Sequence, residues 1–255
     1  MGVRDAFFGF YRAMRAIIAP RLVYSQATYE EALGEHVGEQ RDWMDLGCGH
    51  RLLPEWRFEQ ERSLASRARI LVGFDYDFDA LKKHRTITHR VRGDVAKLPF
   101  QAETFEFISS NMVFEHLKEP AVQLRELNRV LRPGGTLIFH TPNKWGYAVI
   151  FARLFPDWIK RHTAGLLQGR PPEDVYPAYY RINSERDIRA LAASAGLRVK
   201  AIELTNSVPT FIMIPPVVIF ELLWLRLLMT RAFRGWRTNI ICVLEKPTSS
   251  APASG

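Results

Sequence analysis

The run Asp45-Leu46-Gly47-Cys48-Gly49-His50 constrains this chain more than any other stretch, and Asp75 closes the next apolar run, Ile70-Leu71-Val72-Gly73-Phe74. Glycines where a strand turns toward a helix let backbone N–H groups approach a ligand closely, and a carboxylate ending the second strand can hold both hydroxyls of a ribose. The pairing predicts a nucleoside cofactor bound at the edge of a parallel α/β sheet. A dinucleotide turn reads G-x-G-x-x-G, whereas here Leu52 stands three residues after Gly49. Asp45, two residues before the first glycine, would repel a pyrophosphate and could accept a hydrogen bond from a cationic ligand. Both features disfavour a nicotinamide oxidoreductase.

The remaining chain fits one such domain with elaborations. Its 255 residues are 47% apolar and 24% charged, enough to bury a core and too apolar for general disorder. Residues 1–247 read as a single domain opening on a helical segment, 1–40, and residues 248–255, rich in Ser, Ala, Pro and Gly, read as a disordered tail. A formal charge of +8 invites a nucleic acid or an anionic membrane surface as partner. Cys48 and Cys242 are far apart and offer no metal spacing or disulfide framework, so no metal is expected and a reducing, cytoplasmic setting is the simplest reading. In Met1 to Pro20, Arg4, Arg12 and Arg15 interrupt any signal-peptide core. Val3, Phe7, Phe10, Met14 and Ile17, widened by Phe8, Tyr11 and Ile18, recur at helical spacing. Such a helix packs on the domain or lies in a membrane interface.

Apolar runs alternating with helical stretches predict strands near Trp43–Leu46, Ile70–Asp75, Arg90–Gly93, Phe105–Ser109, Thr136–His140, Arg198–Leu204 and Ile240–Glu245. One helix opens at Pro120, buries Val122, Leu124, Leu127, Val130 and Leu131, and stops at Pro133-Gly134-Gly135; another starts at Ser184 and ends at Gly196. Two insertions exceed a minimal α/β unit. Residues 143–181 contain Trp145, Tyr147, Phe151, Phe155, Trp158, Tyr176, Tyr179 and Tyr180, and residues 207–236 contain the apolar run Phe211 to Phe220, broken by Pro215-Pro216. That run is shorter than the about 20 residues a membrane span needs, so a lid or a monotopic segment is the better reading.

Five motifs now stand in order: Asp45-Leu46-Gly47-Cys48-Gly49; Gly73-Phe74-Asp75; Gly93-Asp94-Val95-Ala96-Lys97-Leu98-Pro99-Phe100; Phe107 to Leu117 with Glu115-His116; and Arg129-Val130-Leu131-Arg132-Pro133-Gly134-Gly135. Together they resemble the class I S-adenosylmethionine-dependent methyltransferases, in particular the type 11 group that contains quinone-biosynthesis enzymes. The resemblance is dense over Arg41 to Asn143 and looser over the last strands. It implies a Rossmann-like, seven-stranded, mostly parallel sheet with an antiparallel last strand and helices on both faces. It also implies that Asp45, Gly47, Cys48 and Gly49 line the methionine end of S-adenosylmethionine and that Asp75 binds the ribose. Tyr76 would cover adenine, Asp94 would accept from its amino group with Val95 beside it, and Asn111, Met112 and Val113 would pass under the sulfonium. The family's third glycine is Arg51 here, and Pro54-Glu55-Trp56-Arg57 breaks the helix expected next.

Methyl transfer is an in-line displacement that chiefly needs alignment and desolvation. Where the acceptor is a hydroxyl, a base helps by about 10²–10⁴-fold, and the candidates are His116 and His140. With an antiparallel last strand, both insertions leave the cofactor edge and would roof the substrate. Their content argues for an apolar or lipid-like acceptor, and Arg226, Arg231, Arg234 and Arg237 for peripheral contact with the inner face of a membrane. Two other functions are weighed: an RNA or other nucleic-acid methyltransferase, suggested by charge but lacking an N-P-P-Y motif or RNA-binding module, and a catalytically silent cofactor-binding regulator, suggested by Arg51.

Overall fold

The computed structural model describes residues 2–38, 40–154 and 177–248. Readings placed on Phe155, Trp158, Tyr176 and the tail after Thr248 lie outside the described residues. The chain divides into two units: Met1–Thr28, Pro142–Pro177 and Leu204–Ile240 form one, and Tyr29–Thr141, Ala178–Glu203 and Ile241–Gly255 form the other.

Seven strands build one sheet: β1 (Asp42–Leu46), β2 (Ile70–Asp75), β3 (His89–Arg92), β4 (Phe105–Asn111), β5 (Leu131–Pro142), β6 (Arg198–Thr205) and β7 (Asn239–Glu245), in the order β3-β2-β1-β4-β5-β7-β6. β1 pairs in parallel with β2 and β4, β2 with β3, and β4 with β5. β7 runs the other way. Gly134 N–H donates to the Lys246 carbonyl at 2.8 Å and Lys246 N–H to the Gly135 carbonyl at 3.0 Å, while Asn143 N–H donates to Thr238 at 2.7 Å. Numbers rise along β5 as they fall along β7, the antiparallel relation anticipated for the last strand. β1 is buried along its whole length, as a central parallel strand covered on both faces must be.

The helices are α1 (Val3–Ile18), α2 (Ser25–His36), α3 (Phe58–Arg67), α4 (Phe78–Lys83), α5 (Pro120–Val130), α6 (Tyr147–Leu154), α7 (Glu185–Ser194) and α8 (Pro215–Leu228). α5 begins at Pro120, where a missing N–H costs nothing, and buries Leu124, Leu127 and Val130. The Ser184 hydroxyl caps α7 by accepting from Asp187 N–H at 3.2 Å. One boundary differs from expectation. Arg132-Pro133-Gly134-Gly135 does not form a turn before the strand but belongs to β5, because Gly134 and Gly135 exchange hydrogen bonds with Lys246 and the pairing of β4 with β5 shifts register between Phe105 and Phe107.

In the sheet unit, Trp43, Phe107, Ile138, Leu53 and Ile241 belong to one buried cluster. In the other unit, α1 packs against α8, and Tyr11, Leu22, Val218, Leu222, Leu225 and Leu228 form the core. α1 is therefore a packed helix. Its inner face centres on Tyr11, and Ile17, read as part of the buried stripe, is 70% exposed. Glu221, an acid within the apolar α8, is buried because it clamps the helix entry: it accepts from Tyr147 Oη at 2.6 Å, Thr210 N–H at 2.8 Å and Phe211 N–H at 2.9 Å.

Candidate cofactor site

The carboxyl ends of β1, β2 and β4 gather the motif residues. β1 and β4 are neighbours that lead away on opposite sides, the switch point at which open α/β sheets leave a crevice. After β1 the chain turns through Gly47 at φ +68° and Gly49 at φ +53°, a region L-residues with side chains rarely occupy. Gly47 N–H donates to the Phe74 carbonyl at 2.7 Å, and Gly49 N–H to Asp75 Oδ2 at 2.8 Å. A Cβ on Gly47 would lie 2.2 Å from Val113 Cγ2, so this glycine lets the loop after β4 close against the turn after β1. A Cβ on Gly49 would meet nothing within 4 Å, so that flank of the turn is open.

Asp75 holds the turn and keeps capacity to spare. Its Oδ1 accepts from Asp77 N–H at 2.8 Å and its Oδ2 from Gly49, and each carboxylate oxygen has a further lone pair for a ligand hydroxyl. Tyr76, beside it, is 68% exposed and lies under the Arg92 guanidinium, 5.7 Å from its centroid. Asp94 is exposed, its Oδ1 accepting from Ala96 N–H at 2.9 Å, with Val95 half-buried next to it. Met112 sits at φ +58°, pinned by its N–H to the His140 carbonyl at 2.8 Å. A left-handed residue without glycine costs about 1–3 kcal/mol and tends to mark a functional segment.

Residues 44–139 match the family model described as a methyltransferase domain, of the type 11 group. A demethylmenaquinone methyltransferase from Staphylococcus haemolyticus is 27% identical over 109 residues, 40% of this chain and 44% of that protein. A protein named "Probable S-adenosylmethionine-dependent methyltransferase" from Mycolicibacterium smegmatis is 33% identical over 107 residues, 41% of this chain and 39% of its own length. The chain thus spans under half the length of these two relatives. The solved S-adenosylmethionine-dependent methyltransferase of Mesorhizobium loti shares the fold at a TM-score of 0.53 and 18% identity, covering 85% of this chain and 95% of that one. Over residues 44–139 this chain is similar to the S-adenosylmethionine-dependent methyltransferases. The family and its fold bind S-adenosylmethionine.

Asp45 is buried in β1, and Ser109 Oγ donates to its Oδ1 at 2.5 Å while accepting from Trp43 Nε1 at 2.7 Å. Burial pushes its carboxyl up to about 7, against the Ser109 hydrogen bond, with Asp75 and Glu61 adding to the rise. Cys48 N–H donates to the Phe74 carbonyl at 3.3 Å, and its thiol donates to the Gly49 carbonyl at 3.8 Å. Its thiol is buried, a Cβ on Gly73 would lie 2.8 Å from its Sγ, and burial pushes its ionisation up.

The two histidines separate. His140 is buried, stacks on Tyr29 with centroids 5.6 Å apart, and its Nδ1 meets Asn111 Oδ1 at 2.8 Å. Burial lowers its pKa to about 4, so it stays neutral in place. It fits a supporting role behind the rim better than that of an acceptor-facing base. His116 ends the short helical turn Phe114–His116, with its side chain 31% exposed and Nε2 3.9 Å from Glu115 Oε1. Glu115 is itself buried, accepting from Thr141 Oγ1 at 3.0 Å and, through its carbonyl, from Tyr179 N–H at 2.7 Å.

The departures at Arg51 and Pro54 have a structural counterpart. Arg51 is exposed, and no helix follows the glycines directly; α3 begins only at Phe58. The intervening loop is held by Glu61, whose buried Oε2 accepts from Leu52 N–H at 3.1 Å and Leu53 N–H at 2.9 Å, while Thr86 Oγ1 donates to Oε1. Sequence reading passed over Glu61 and Tyr29. Glu61 was detectable, since it falls on the same helical stripe as Leu64, Ala65 and Ala68, which pack against the core. Among the described residues no group of His, Cys, Asp and Glu is arranged to hold a metal ion.

Proposed function

We propose that this chain transfers the methyl group of S-adenosylmethionine to a small apolar or lipid-like acceptor, acting at the cytoplasmic face of a membrane. The observation that carries the reading is the convergence of the Gly47–Gly49 turn, Asp75 and the strained Met112 at the carboxyl ends of neighbouring strands. In it, Asp45, Gly47, Gly49 and the main chain of Cys48 receive the methionine end, and Asp75 receives the ribose. Tyr76, Asp94 and Val95 surround adenine, and Asn111, Met112 and Val113 run beneath the sulfonium. The acceptor's nucleophile attacks the methyl carbon in line, and the carbon–sulfur electron pair returns to sulfur, leaving S-adenosylhomocysteine. His116 takes the proton of a hydroxyl acceptor; desolvation and alignment supply the remainder of the acceleration.

Two observations favour an apolar acceptor. The relative from Staphylococcus haemolyticus bears the name of an enzyme acting on demethylmenaquinone, and the helical unit that follows β5 has an apolar core with exposed apolar side chains. Among the described residues no helix is long and apolar enough to cross a membrane, and the contact we propose is with the membrane surface. Mass spectrometry of lipid and small-molecule extracts from a deletion strain tests the acceptor class. A lipid-soluble species lighter by one methyl group supports the reading, and a deficit confined to RNA methylation would replace it.

A further inference from the structure

Helix α8 is apolar on both sides. Val218, Leu222, Leu225 and Leu228 are buried in its own unit, while Val217, Phe220, Leu223 and Leu227, spaced three, three and four residues apart, form an exposed stripe in which Phe220 is 72% exposed. Exposed Ile214 precedes the stripe and exposed Trp236 follows it. Arg226, Arg231 and Arg234 are exposed beside and beyond the helix. The only carboxylate between Asn206 and Arg237 is Glu221, which is buried on three donors. The outward surface of this segment therefore combines hydrocarbon with cations and carries no anion. Arg237 fixes the end of α8 by donating to the carbonyls of Leu228 and Met229 at 3.0 Å and of Leu204 at 2.8 Å.

We propose that the exposed stripe of α8, with its arginine collar, is a docking surface for an anionic lipid bilayer. The charge pattern selects this occupant, since lipid phosphates at the boundary of the hydrocarbon meet the arginines while the apolar side chains enter about 5–10 Å. Tryptophan favours that same boundary. At 14 residues the helix is about 21 Å long, short of the about 30 Å of hydrocarbon, so it lies in the plane of the surface. The inference rests on the lipid-like acceptor read above for its purpose, but its test needs neither acceptor nor cofactor.

The full chain is sedimented with vesicles of phosphatidylcholine alone and of phosphatidylcholine with phosphatidylglycerol. Wild type binds the anionic vesicles, less so as salt rises. The pair Phe220→Ser with Leu223→Ser lowers partitioning at least about tenfold. Arg231→Gln with Arg234→Gln lowers it several-fold on anionic vesicles only. Wild type that stays in the supernatant, or serine variants that sediment as wild type does, overturns the proposal. So does a concentration-dependent dimer that the serine pair dissociates while vesicle binding is unchanged, which would assign the stripe to a second copy. If vesicle binding fails while S-adenosylmethionine still binds, the surface is wrong and the enzyme reading stands.

Discussion

Gly47 and Val113 approach so closely that a methyl group on the glycine would lie 2.2 Å from Val113 Cγ2. The contact joins the turn after β1 to the loop after β4, the two segments that the proposed cofactor must touch together. Gly47→Ala meets this clash and a φ of +68° at once. The variant is expected to lose more than tenfold in S-adenosylmethionine affinity and about 1–3 kcal/mol of stability, read by calorimetry and thermal melting. Adding Val113→Ala relieves the clash and leaves the backbone strain, so recovery is partial.

Asp45 should make the proposed cofactor site pH-sensitive. Its folded pKa, raised by burial from the ordinary 3.8 to about 7, means the native state binds more protons than the unfolded chain between those values. Its contribution to stability is fully present below about pH 4 and is lost as pH rises through about 7. A ligand with net positive charge favours the ionised form, so S-adenosylmethionine affinity should rise across neutrality. Asp45→Asn is expected to be more stable than wild type at pH 8, to bind the cofactor more weakly, and to show a flat pH profile of affinity. A wild-type affinity independent of pH contradicts the assignment.

The histidines should respond differently to substitution. His116→Ala is expected to lower kcat by about 10²–10⁴-fold for a hydroxyl acceptor with cofactor affinity unchanged. His140→Ala removes a buried ring stacked on Tyr29 and hydrogen-bonded to Asn111, and should cost about 2–4 kcal/mol of stability. Burial holds the His140 pKa near 4, so no limb of the pH–rate profile near neutrality belongs to it. Steady-state kinetics and denaturant unfolding separate the two.

Glu61 is a positioning residue outside the motifs. Glu61→Ala leaves the N–H groups of Leu52 and Leu53 without their buried acceptor, at a cost of about 2–5 kcal/mol. Hydrogen exchange should accelerate at these two amides first, and cofactor affinity should fall. Glu61→Gln, which keeps an acceptor oxygen, should retain most of both.

The central strands β1, β2 and β4 were legible because buried parallel strands are apolar runs between turn residues, and β2 begins and ends where Ile70 and Asp75 indicated. β4 runs two residues beyond Ser109 because Asn111 pairs with His140 of β5, a partner set by tertiary register. The delayed start of α3 followed from Pro54, and the stripe of Leu64, Ala65 and Ala68 marked Glu61 as inward-facing, whereas its bond from Thr86 was not legible, because the two stand 25 positions apart. The edge proposed for the cofactor is marked in the sequence by Asp45, the glycines and Asp75, which are close along the chain. The standing of His140 was not: its stacking on Tyr29 joins residues more than a hundred positions apart, and only the fold shows that it is buried.

The most direct measurement is calorimetric titration of S-adenosylmethionine into the full chain and into Asp75→Ala at neutral pH. Saturable binding by wild type, weakened at least about tenfold in the variant by loss of a charged acceptor, is the predicted result. Absence of binding by wild type, or equal affinity in the two proteins, would contradict the cofactor site at the carboxyl ends of β1 and β2.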